Sequence, residues 1–201
     1  MNIVKVKLTG NYALFTDATT NVERYSYPVP TYSAVKGALE AIYWKPEFTW
    51  QILSVQVLNE IKYQNFLRNE VTKQKYSLDR KAVSIVKNRT QRNSMVLLNP
   101  SYIVTAKVIQ KPHDKAHYFK HIDIFNDRVK KGACYRQPYL GLKEYACDFS
   151  FPTGDEIVHD SLFGEKELGL MLESFSYDIN GAKPIFKKYK MVDGLVKVQE
   201  N

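Results

Sequence analysis

The chain opens with a short segment in which apolar and charged side chains alternate. Val4, Val6 and Leu8 fall on one side of an extended backbone, and lysines fall on the other. Successive side chains of a strand point to opposite faces, so a period of two indicates one buried face and one solvated face. The pattern therefore predicts a strand at about residues 2–9.

A helical period follows within the stretch SYPVPTYSAVKGALEAIYWKP. The apolar positions recur three or four residues apart and predict one buried stripe: Val35, Ala38, Leu39 and Ile42. Thr31 or Ser33 can cap the first turn, and Pro46 stops the helix because the residue before a proline is disfavoured in the α region. We expect a helix at about 31–44. Three side chains remain at its exit, where each can reach a partner: Tyr43, Trp44 and Lys45.

The middle of the chain contains further strand-like segments. Apolar residues predict strands at about 50–63, 93–98 and 101–110, the last two being separated by the turn residues Asn99 and Pro100. Between them, residues 62–92 are polar and basic, with few side chains suited to a core. We interpret this stretch as an excursion at the surface.

A second helix is predicted at about 116–131, with Gly132 directly after its end. Its buried stripe is expected to contain Tyr118, Ile122, Phe125 and Val129. The segment PYLGLKEYACDF then indicates a turn that leads into another strand.

The resulting order, β-α-β-β-α-β, predicts an α+β protein with a ferredoxin-like fold, in which both helices lie on one face of an antiparallel sheet. RNA-recognition motifs share this arrangement, although their aromatic-glycine signature is absent here. After residue 150 the pattern contains only strands. We therefore expect a ferredoxin-like domain over 1–149 and a small C-terminal antiparallel β-sheet extension over 150–201.

Composition adds a preference for polyanions. Lysine and arginine number 29 against 21 acidic residues, which gives a net charge of +8. Nucleic acid is the leading candidate partner and an anionic membrane the second, while a basic protein without such a partner is equally compatible with the charge alone. The 14 tyrosines and 10 phenylalanines change the balance, since several stand among lysines. Rings that stack on bases beside cations that hold phosphates favour single-stranded RNA.

The same composition makes other classes of protein less suitable. The first residues lack the apolar core of a signal peptide, and no apolar run is long enough to span a bilayer. Two cysteines, Cys134 and Cys147, form neither a disulfide framework nor a metal site by themselves. We expect a cytoplasmic protein that does not associate with membranes.

The histidines offer little for a metal site. His117 and His121 are four residues apart on the second predicted helix, a spacing that permits shared coordination. However, Tyr118 stands where a zincin motif has glutamate, and no third ligand is evident nearby. Neither a serine-histidine-aspartate order nor a phosphate-binding glycine loop is present. No metal and no cofactor are expected.

A combination of Tyr43, Lys120 and His121 would suit metal-free cleavage of RNA. In that reaction the 2′-hydroxyl attacks the neighbouring phosphate, which requires proton transfer, a donor to the leaving 5′-oxygen and a cation near the phosphorane. Histidine titrates near neutral pH, lysine supplies the cation, and tyrosine can orient a group by hydrogen bonding. The alternative is structural: a packed, hydrogen-bonded histidine beside a solvated lysine.

Three blocks carry a family resemblance: SYPVPTYSAVKGALEAIYWKP, NRTQRNSMVL and KHIDIFNDRVKKGACYRQPYLGLKEY. Over residues 1–150 the chain resembles the precursor-crRNA endoribonucleases of type I-C CRISPR systems, which are the subtype d (Dvulg) form of the fifth Cas family in the RAMP superfamily. The resemblance implies a ferredoxin-like RAMP domain and a small C-terminal sheet.

The resemblance also implies a function. The enzyme would cut precursor CRISPR RNA at the base of the repeat hairpin without a metal and leave a 2′,3′-cyclic phosphate. It would then stay on the 5′ handle as a subunit of the interference complex, beside the backbone and large subunits. The alternative is a non-catalytic subunit that only binds the 5′ handle.

By position in the family motif, the resemblance assigns Tyr43, Lys120 and His121 to the active site, and Lys115 and His117 could replace the latter two. Candidate RNA-binding residues are Trp44, Lys45, Lys87, Arg89, Arg92, Arg136 and Lys143. For Trp44, packing in the core is favoured over stacking on a base. The arginines and lysine at 87–92 fit an ordinary solvated face equally well. In the subtype that the chain resembles, arginine is commoner at the position of Lys143. The lysine would hold phosphate as a point charge.

Overall fold

A computed structural model of the chain describes residues 2–20, 23–71, 89–112, 118–178 and 181–198. In this part of the chain there are two helices, α1 (Tyr32–Ile42) and α2 (Tyr118–Lys131). The strands are β1 (Ile3–Thr9), β2 (Tyr12–Ala13), β3 (Arg24–Tyr25), β4 (Phe48–Val57), β5 (Lys62–Val71), β6 (Arg89–Leu98), β7 (Ser101–Gln110), β8 (Asp148–Ser150), β9 (Glu165–Asp178), β10 (Gly181–Val192) and β11 (Leu195–Lys197). A short 3-10 turn at Asp160–Leu162 precedes β9. The chain is thus a mixed α+β protein.

Seven of the strands form one antiparallel sheet in the order β8-β1-β7-β4-β11-β10-β9. The predicted alternation of β1 is confirmed, because Val4, Val6 and Leu8 are buried. Val6 lies opposite Val104 of β7, so apolar pairs meet on the covered face of the sheet. Burial of such pairs provides most of the driving force for this packing.

Both helices pack on this sheet and contact each other. The predicted stripe of α1 is confirmed: Val35, Ala38, Leu39 and Ile42 are all buried. The hydroxyl of Thr31 accepts a hydrogen bond from the backbone N–H of Ala34, which caps the first turn. In α2, the stripe of Ile122, Phe125 and Val129 is buried, and Tyr118 packs at its margin. Gly132 follows α2 with a φ of +63°, as expected for a C′ residue.

The basic stretch at 62–92 contains regular strand pairing that the sequence interpretation did not include. Its described ends are β5 and β6, two arms of a ten-residue antiparallel ladder in a second sheet with β2 and β3. The predicted strand at 50–63 is likewise wrong in extent, because the backbone leaves the central sheet after Val57 and enters β5 at Lys62. A polar ladder was missed because its backbone hydrogen bonds do not depend on an apolar alternation.

The C-terminal strands continue the central sheet. The hairpin of β9 and β10 connects to β11, and β11 pairs with β4 through Val196 and Val55. Met171, Met191 and Val196 are buried in the same core as the helices. The boundary at 149/150 therefore stays a prediction about topology, while the sheet itself runs across it. No helix in the described ranges is long and apolar enough to cross a membrane.

Candidate ribonuclease site

Tyr43 lies where α1 meets the central sheet. The residue leaves helical geometry with φ −151° and ψ 125°, and its N–H still donates to the carbonyl of Leu39 at 2.9 Å. Its own carbonyl accepts a hydrogen bond from the indole Nε1 of Trp50 at 3.0 Å. The phenol ring stacks on Phe48, with centroids 5.5 Å apart. The helix thus ends at Ile42, two residues before the predicted exit, because Tyr43 already follows the extended path into β4.

The phenol of Tyr43 and the imidazole of His121 are in direct contact. The hydroxyl oxygen lies 3.0 Å from Nδ1 of His121, a hydrogen bond whose donor depends on the imidazole tautomer. Phe48 lies against the imidazole with centroids 4.7 Å apart. Tyr43 is only 2% exposed and His121 5%. The sequence placed Tyr43 at the helix exit, where it could reach a partner, and the structure directs its phenol inward onto a ring 78 residues away.

Lys120 precedes His121 on α2 and is exposed. Adjacent residues of an α-helix are rotated by about 100°, so a buried histidine and a solvated lysine can share one turn. The structure therefore places Lys120 at the surface beside the buried pair.

Arg128 is a neighbour of this pair that the sequence analysis missed. It stands two turns after His121 on α2, and its Nη1 donates to the carbonyl of Ile42 at 2.6 Å. Its guanidinium lies 5.1 Å from the centroid of the Tyr43 ring, in a cation–π arrangement. A positive group at the C-terminus of α1 also complements the helix dipole. The i, i+7 spacing from His121 was the only signal in the sequence, and it is too common to single out a site.

The loop after α2 completes the cap of α1. The N–H groups of Tyr135 and Arg136 donate to the carbonyl of Ala41 at 3.0 and 3.1 Å, and Tyr135 also approaches the carbonyl of Ile42 at 3.3 Å. These bonds satisfy carbonyls that a helix end leaves without intrahelical partners. Arg136 is exposed at this end of α1.

The expected core packing of Trp44 is wrong. Its side chain is 51% exposed, because Tyr43 turns inward and the next residue of an extended backbone points the opposite way. Lys45 is exposed as well. Trp44, Lys45 and Arg136 are therefore exposed at the C-terminal end of α1, where Tyr43 turns into the core.

Of the remaining candidate RNA-binding residues that the structure describes, Arg89 and Arg92 lie on β6 and Lys143 lies in the loop between α2 and β8. Arg89 is exposed at the start of β6, while Arg92 lies 3.6 Å from the carboxylate of Glu70, which also pairs with Arg24. Lys143 is exposed and adjoins Glu144. Arg92 is thus partly neutralised within the protein, whereas Arg89 and Lys143 present their charges to solvent.

A buried tyrosine connects β5 to the loop between α2 and β8. Arg68 of β5 donates to the hydroxyl of Tyr145 and forms an ion pair with Glu144. Burial raises the pKa of Tyr145, so the phenol stays protonated near neutral pH. Three of the sequence candidates, Lys87, Lys115 and His117, lie outside the described residues. Within the described ranges, no group of three or more histidine, cysteine, aspartate or glutamate side chains could hold a metal ion.

Comparison with known proteins gives consistent matches. The family model for CRISPR-associated protein Cas5d matches residues 3–198. Two relatives are each named CRISPR pre-crRNA endoribonuclease Cas5d. The protein of Thermus thermophilus is 41% identical over 181 residues, which cover 90% of this chain and 76% of that protein. The protein of Mannheimia succiniciproducens is 32% identical and covers 98% of this chain and 95% of its own length.

Solved structures share the fold. A CRISPR-associated protein superposes with a TM-score of 0.73 at 24% identity, over 98% of this chain and 92% of that one. A Streptococcus mutans protein described as functionally uncharacterized superposes over the same shares with a TM-score of 0.72 at 25% identity. A chain of a CRISPR RNA-guided surveillance complex reaches 0.55 at 14% identity, over 94% and 88% of the two chains. With a family model that spans almost its whole length and two relatives above 30% identity, the chain belongs to the Cas5d family of CRISPR-associated proteins.

Proposed function

We propose that this protein is a metal-independent endoribonuclease that cuts precursor CRISPR RNA within the repeat, at the base of its hairpin. Two relatives named as pre-crRNA endoribonucleases support the assignment. The observation that carries it is the 3.0 Å contact between the Tyr43 hydroxyl and His121 Nδ1. It joins His121, which is suited to proton transfer in this reaction, to a tyrosine 78 residues away that can orient it.

The proposed chemistry needs only the RNA and these side chains. The 2′-oxygen forms a bond to phosphorus as its proton leaves, and the bond from phosphorus to the 5′-oxygen breaks as that oxygen receives a proton. The products are a 2′,3′-cyclic phosphate and a 5′-hydroxyl. His121 accepts the proton from the 2′-hydroxyl and gives it to the leaving 5′-oxygen, and Tyr43 holds the imidazole in one orientation from inside the core. Lys120, at the surface, stabilises the charge that grows on the phosphate oxygens.

RNA contacts are proposed at the C-terminal end of α1, on β6 and in the loop after α2. Trp44, Lys45 and Arg136, exposed at the end of α1, would hold the strand that is cut. The other sequence candidates, Lys87, Arg89, Arg92 and Lys143, would grip the RNA stem or the 5′ handle. Since Arg92 already pairs with Glu70, we expect it to contribute least to affinity.

Cleavage of repeat RNA by the purified protein tests the function. A single 2′-deoxy nucleotide at the cut site should abolish cleavage because the nucleophile is gone, whereas EDTA should have no effect. Separate Tyr43→Phe, Lys120→Ala and His121→Ala variants should lose cutting and keep RNA affinity. Cleavage that stops on addition of EDTA, or that survives the 2′-deoxy substitution, would contradict this mechanism.

The burial of the pair favours one alternative. With Tyr43 at 2% and His121 at 5% exposure, the contact could serve only to join α1 and α2 in a non-catalytic subunit that binds the 5′ handle. Such a protein would bind the handle RNA tightly and leave repeat RNA intact. If wild type produces RNA ends that carry a cyclic phosphate and His121→Ala does not, the protein is the enzyme.

We further propose a ferredoxin-like RAMP domain over 1–149 with a C-terminal sheet extension over 150–201. The path β1-α1-β4-β7-α2-β8 and the strand order β8-β1-β7-β4 support it, with the antiparallel pair β5 and β6 between β4 and β7 in the sequence. The protein would act in the cytoplasm and stay on the processed RNA beside the backbone and large subunits of an interference complex. A chain of an RNA-guided surveillance complex with a similar fold is compatible with that place.

A further inference from the structure

We infer that Trp44 and Tyr135 form a stacking site for unpaired bases of the RNA next to the cleaved phosphate. Trp44 is 51% exposed and Tyr135 81%. In proposing this we build on the proposed cleavage of repeat RNA, because the site would select which nucleotides lie beside the cut. Tyr135 was not a candidate from the sequence, since it stands 91 residues from Trp44 in the chain.

The two rings are held on one surface by backbone hydrogen bonds. The N–H of Tyr135 lies 3.0 Å from the carbonyl of Ala41 and 3.3 Å from that of Ile42, two residues before Trp44. From standard backbone dimensions, the Cα atoms of Trp44 and Tyr135 are then within about 12 Å of each other. Both backbones are anchored to the capped end of α1, so the exposed rings do not require a large ordering cost on binding.

The surroundings of the rings are cationic. The segments 41–46 and 130–137 contain four basic residues, Lys45, Lys130, Lys131 and Arg136, and no acidic residue. All four are exposed. Aromatic rings among exposed cations suit an unpaired nucleic acid strand, whose bases stack on the rings while its phosphates meet the charges. Paired bases are already stacked on each other, and therefore the site favours unpaired nucleotides.

The position of the rings connects this site to the proposed chemistry. Trp44 directly follows Tyr43, whose hydroxyl contacts His121. Tyr43 turns inward and Trp44 turns outward from the same backbone segment, so a base stacked on Trp44 would lie on the outer side of the segment that holds the buried pair. The rings would thus set the register of the strand relative to the catalytic groups.

Tryptophan fluorescence gives a direct test, because the chain has two tryptophans and Trp50 is 1% exposed. The ligand is repeat RNA in its 2′-O-methyl form, which cannot be cut by 2′-hydroxyl attack. It is made in two forms: a flanked RNA, which keeps the unpaired nucleotides next to the hairpin, and a blunt RNA, which ends at the paired stem. The flanked RNA should quench the emission, and Trp44→Phe should remove most of that response. Trp44→Leu and Tyr135→Ala should each weaken binding of the flanked RNA by about 5- to 100-fold, and that of the blunt RNA by much less.

Phe163→Ala is the matched control. Phe163 is 56% exposed and directly follows the 3-10 turn. The residue before that turn, His159, donates its N–H to the carbonyl of Leu58, at the end of β4 that is opposite to Trp44. Its removal should leave both affinities unchanged. Flanked RNA that binds without quenching, or with equal affinity to wild type and to Tyr135→Ala, would overturn the site and point to a protein partner for this surface. Quenching without any cleavage of natural RNA would retain the site and reject the nuclease.

Discussion

The contact between Tyr43 and His121 depends on a single backbone transition. If α1 continued to residue 44, the phenol would turn with the helix instead of entering the core. The extended geometry of Tyr43, held by the Trp50 indole, directs the hydroxyl onto His121 and leaves Trp44 in solvent. At the scale of the residue, the side chains that the resemblance assigned to one site therefore separate into a buried pair and an exposed surface.

Replacing Tyr43 by phenylalanine should separate orientation from packing. The ring still stacks on Phe48, but the imidazole loses its partner, which costs about 1–3 kcal/mol of stability. We expect the single-turnover cleavage rate to fall by about 100-fold with RNA affinity within a factor of two. Tyr189→Phe is the matched control. It removes another buried hydroxyl, which lies on β10 and bonds to Glu173 on β9. Equal cleavage by Tyr43→Phe and wild type would reject the orienting role.

Arg128 should act as a positioning residue for this pair. Arg128→Met removes the bond to the Ile42 carbonyl and the charge over the Tyr43 ring, so the pair should be held less firmly. We expect about a tenfold slower single-turnover cleavage step at saturating RNA, with RNA affinity unchanged. Arg128→Lys should restore part of the rate, since it keeps the charge but not the planar guanidinium. A purely structural role would lower the melting temperature and leave the cleavage rate of the folded protein unchanged.

At the scale of the elements, the molecule depends on loops that are tied to strands. The loop at 151–159 is an example: the carboxylate of Glu156 accepts from the N–H groups of Thr153 and Gly154 at 2.7 and 2.9 Å and lies 3.6 Å from the ammonium of Lys7 on β1. Gly154, with φ +93°, permits the turn. These bonds favour the charged carboxylate and fasten the loop to the edge of the central sheet.

The same contacts predict a pH dependence. The hydrogen bond from Thr153 N–H, followed by that from Gly154, lowers the pKa of Glu156 from 4.5 to about 2. Because the folded-state pKa is depressed, the stabilisation is fully present above about pH 4.5 and is lost as the pH falls toward 2. Glu156→Gln should therefore be less stable than wild type at pH 7, with the difference closing at low pH. Thermal melts from pH 2 to 7 measure this, with Asp155→Asn as the control for loss of one exposed carboxylate.

If the melting temperatures of wild type and Glu156→Gln change in the same way with pH, without a difference at any pH, the assignment is contradicted. Such a result would mean that the carboxylate has the same protonation behaviour in the folded and unfolded chains. The loop would then be fastened by its backbone bonds alone, such as that from the His159 N–H to the carbonyl of Leu58.

At the scale of the whole molecule, one core extends across both predicted units. Strand β11 lies between β4 and β10, and Met171, Met191 and Val196 belong to the same cluster as the helices. A chain that ends at residue 149 should therefore not fold on its own, because β4 becomes an open edge and apolar side chains lose their cover. Circular dichroism and size-exclusion chromatography measure the outcome. A monomeric chain 1–149 with a cooperative melt would instead establish an independent domain.

The charge of the molecule should make RNA binding depend on salt. With about four phosphates held by the cations around Trp44, affinity for repeat RNA should fall about 50-fold between 50 and 200 mM salt. Replacing Lys45 and Arg136 together by alanine should lower the slope of log affinity against log salt by about 1.4. Lys183→Ala is the control, since that ammonium pairs with Asp178 at 2.6 Å on the C-terminal hairpin. If the double replacement of Lys45 and Arg136 leaves the slope of log affinity against log salt unchanged, as Lys183→Ala should, the RNA phosphates bind elsewhere on the protein.

The sequence by itself determined the elements whose signal is local. The alternation of β1, the stripe of α1 and the glycine after α2 each follow from side chains a few positions apart. Side-chain chemistry and the resemblance together gave Tyr43, Lys120 and His121 as candidates. Strand β5 and the start of β6 were hidden, because their pairing depends on backbone groups that every residue carries.

Only the tertiary structure decided which distant groups meet. The joining of β11 to β4, the bond between Tyr43 and His121, and the cap formed by Arg128 and the loop at Tyr135 each link segments far apart in the chain. The energy of such contacts depends on packing of the whole core, which no local pattern reports. The physical reason is that periodicity records which face of an element is buried, whereas the partner of that face is set by how the elements assemble.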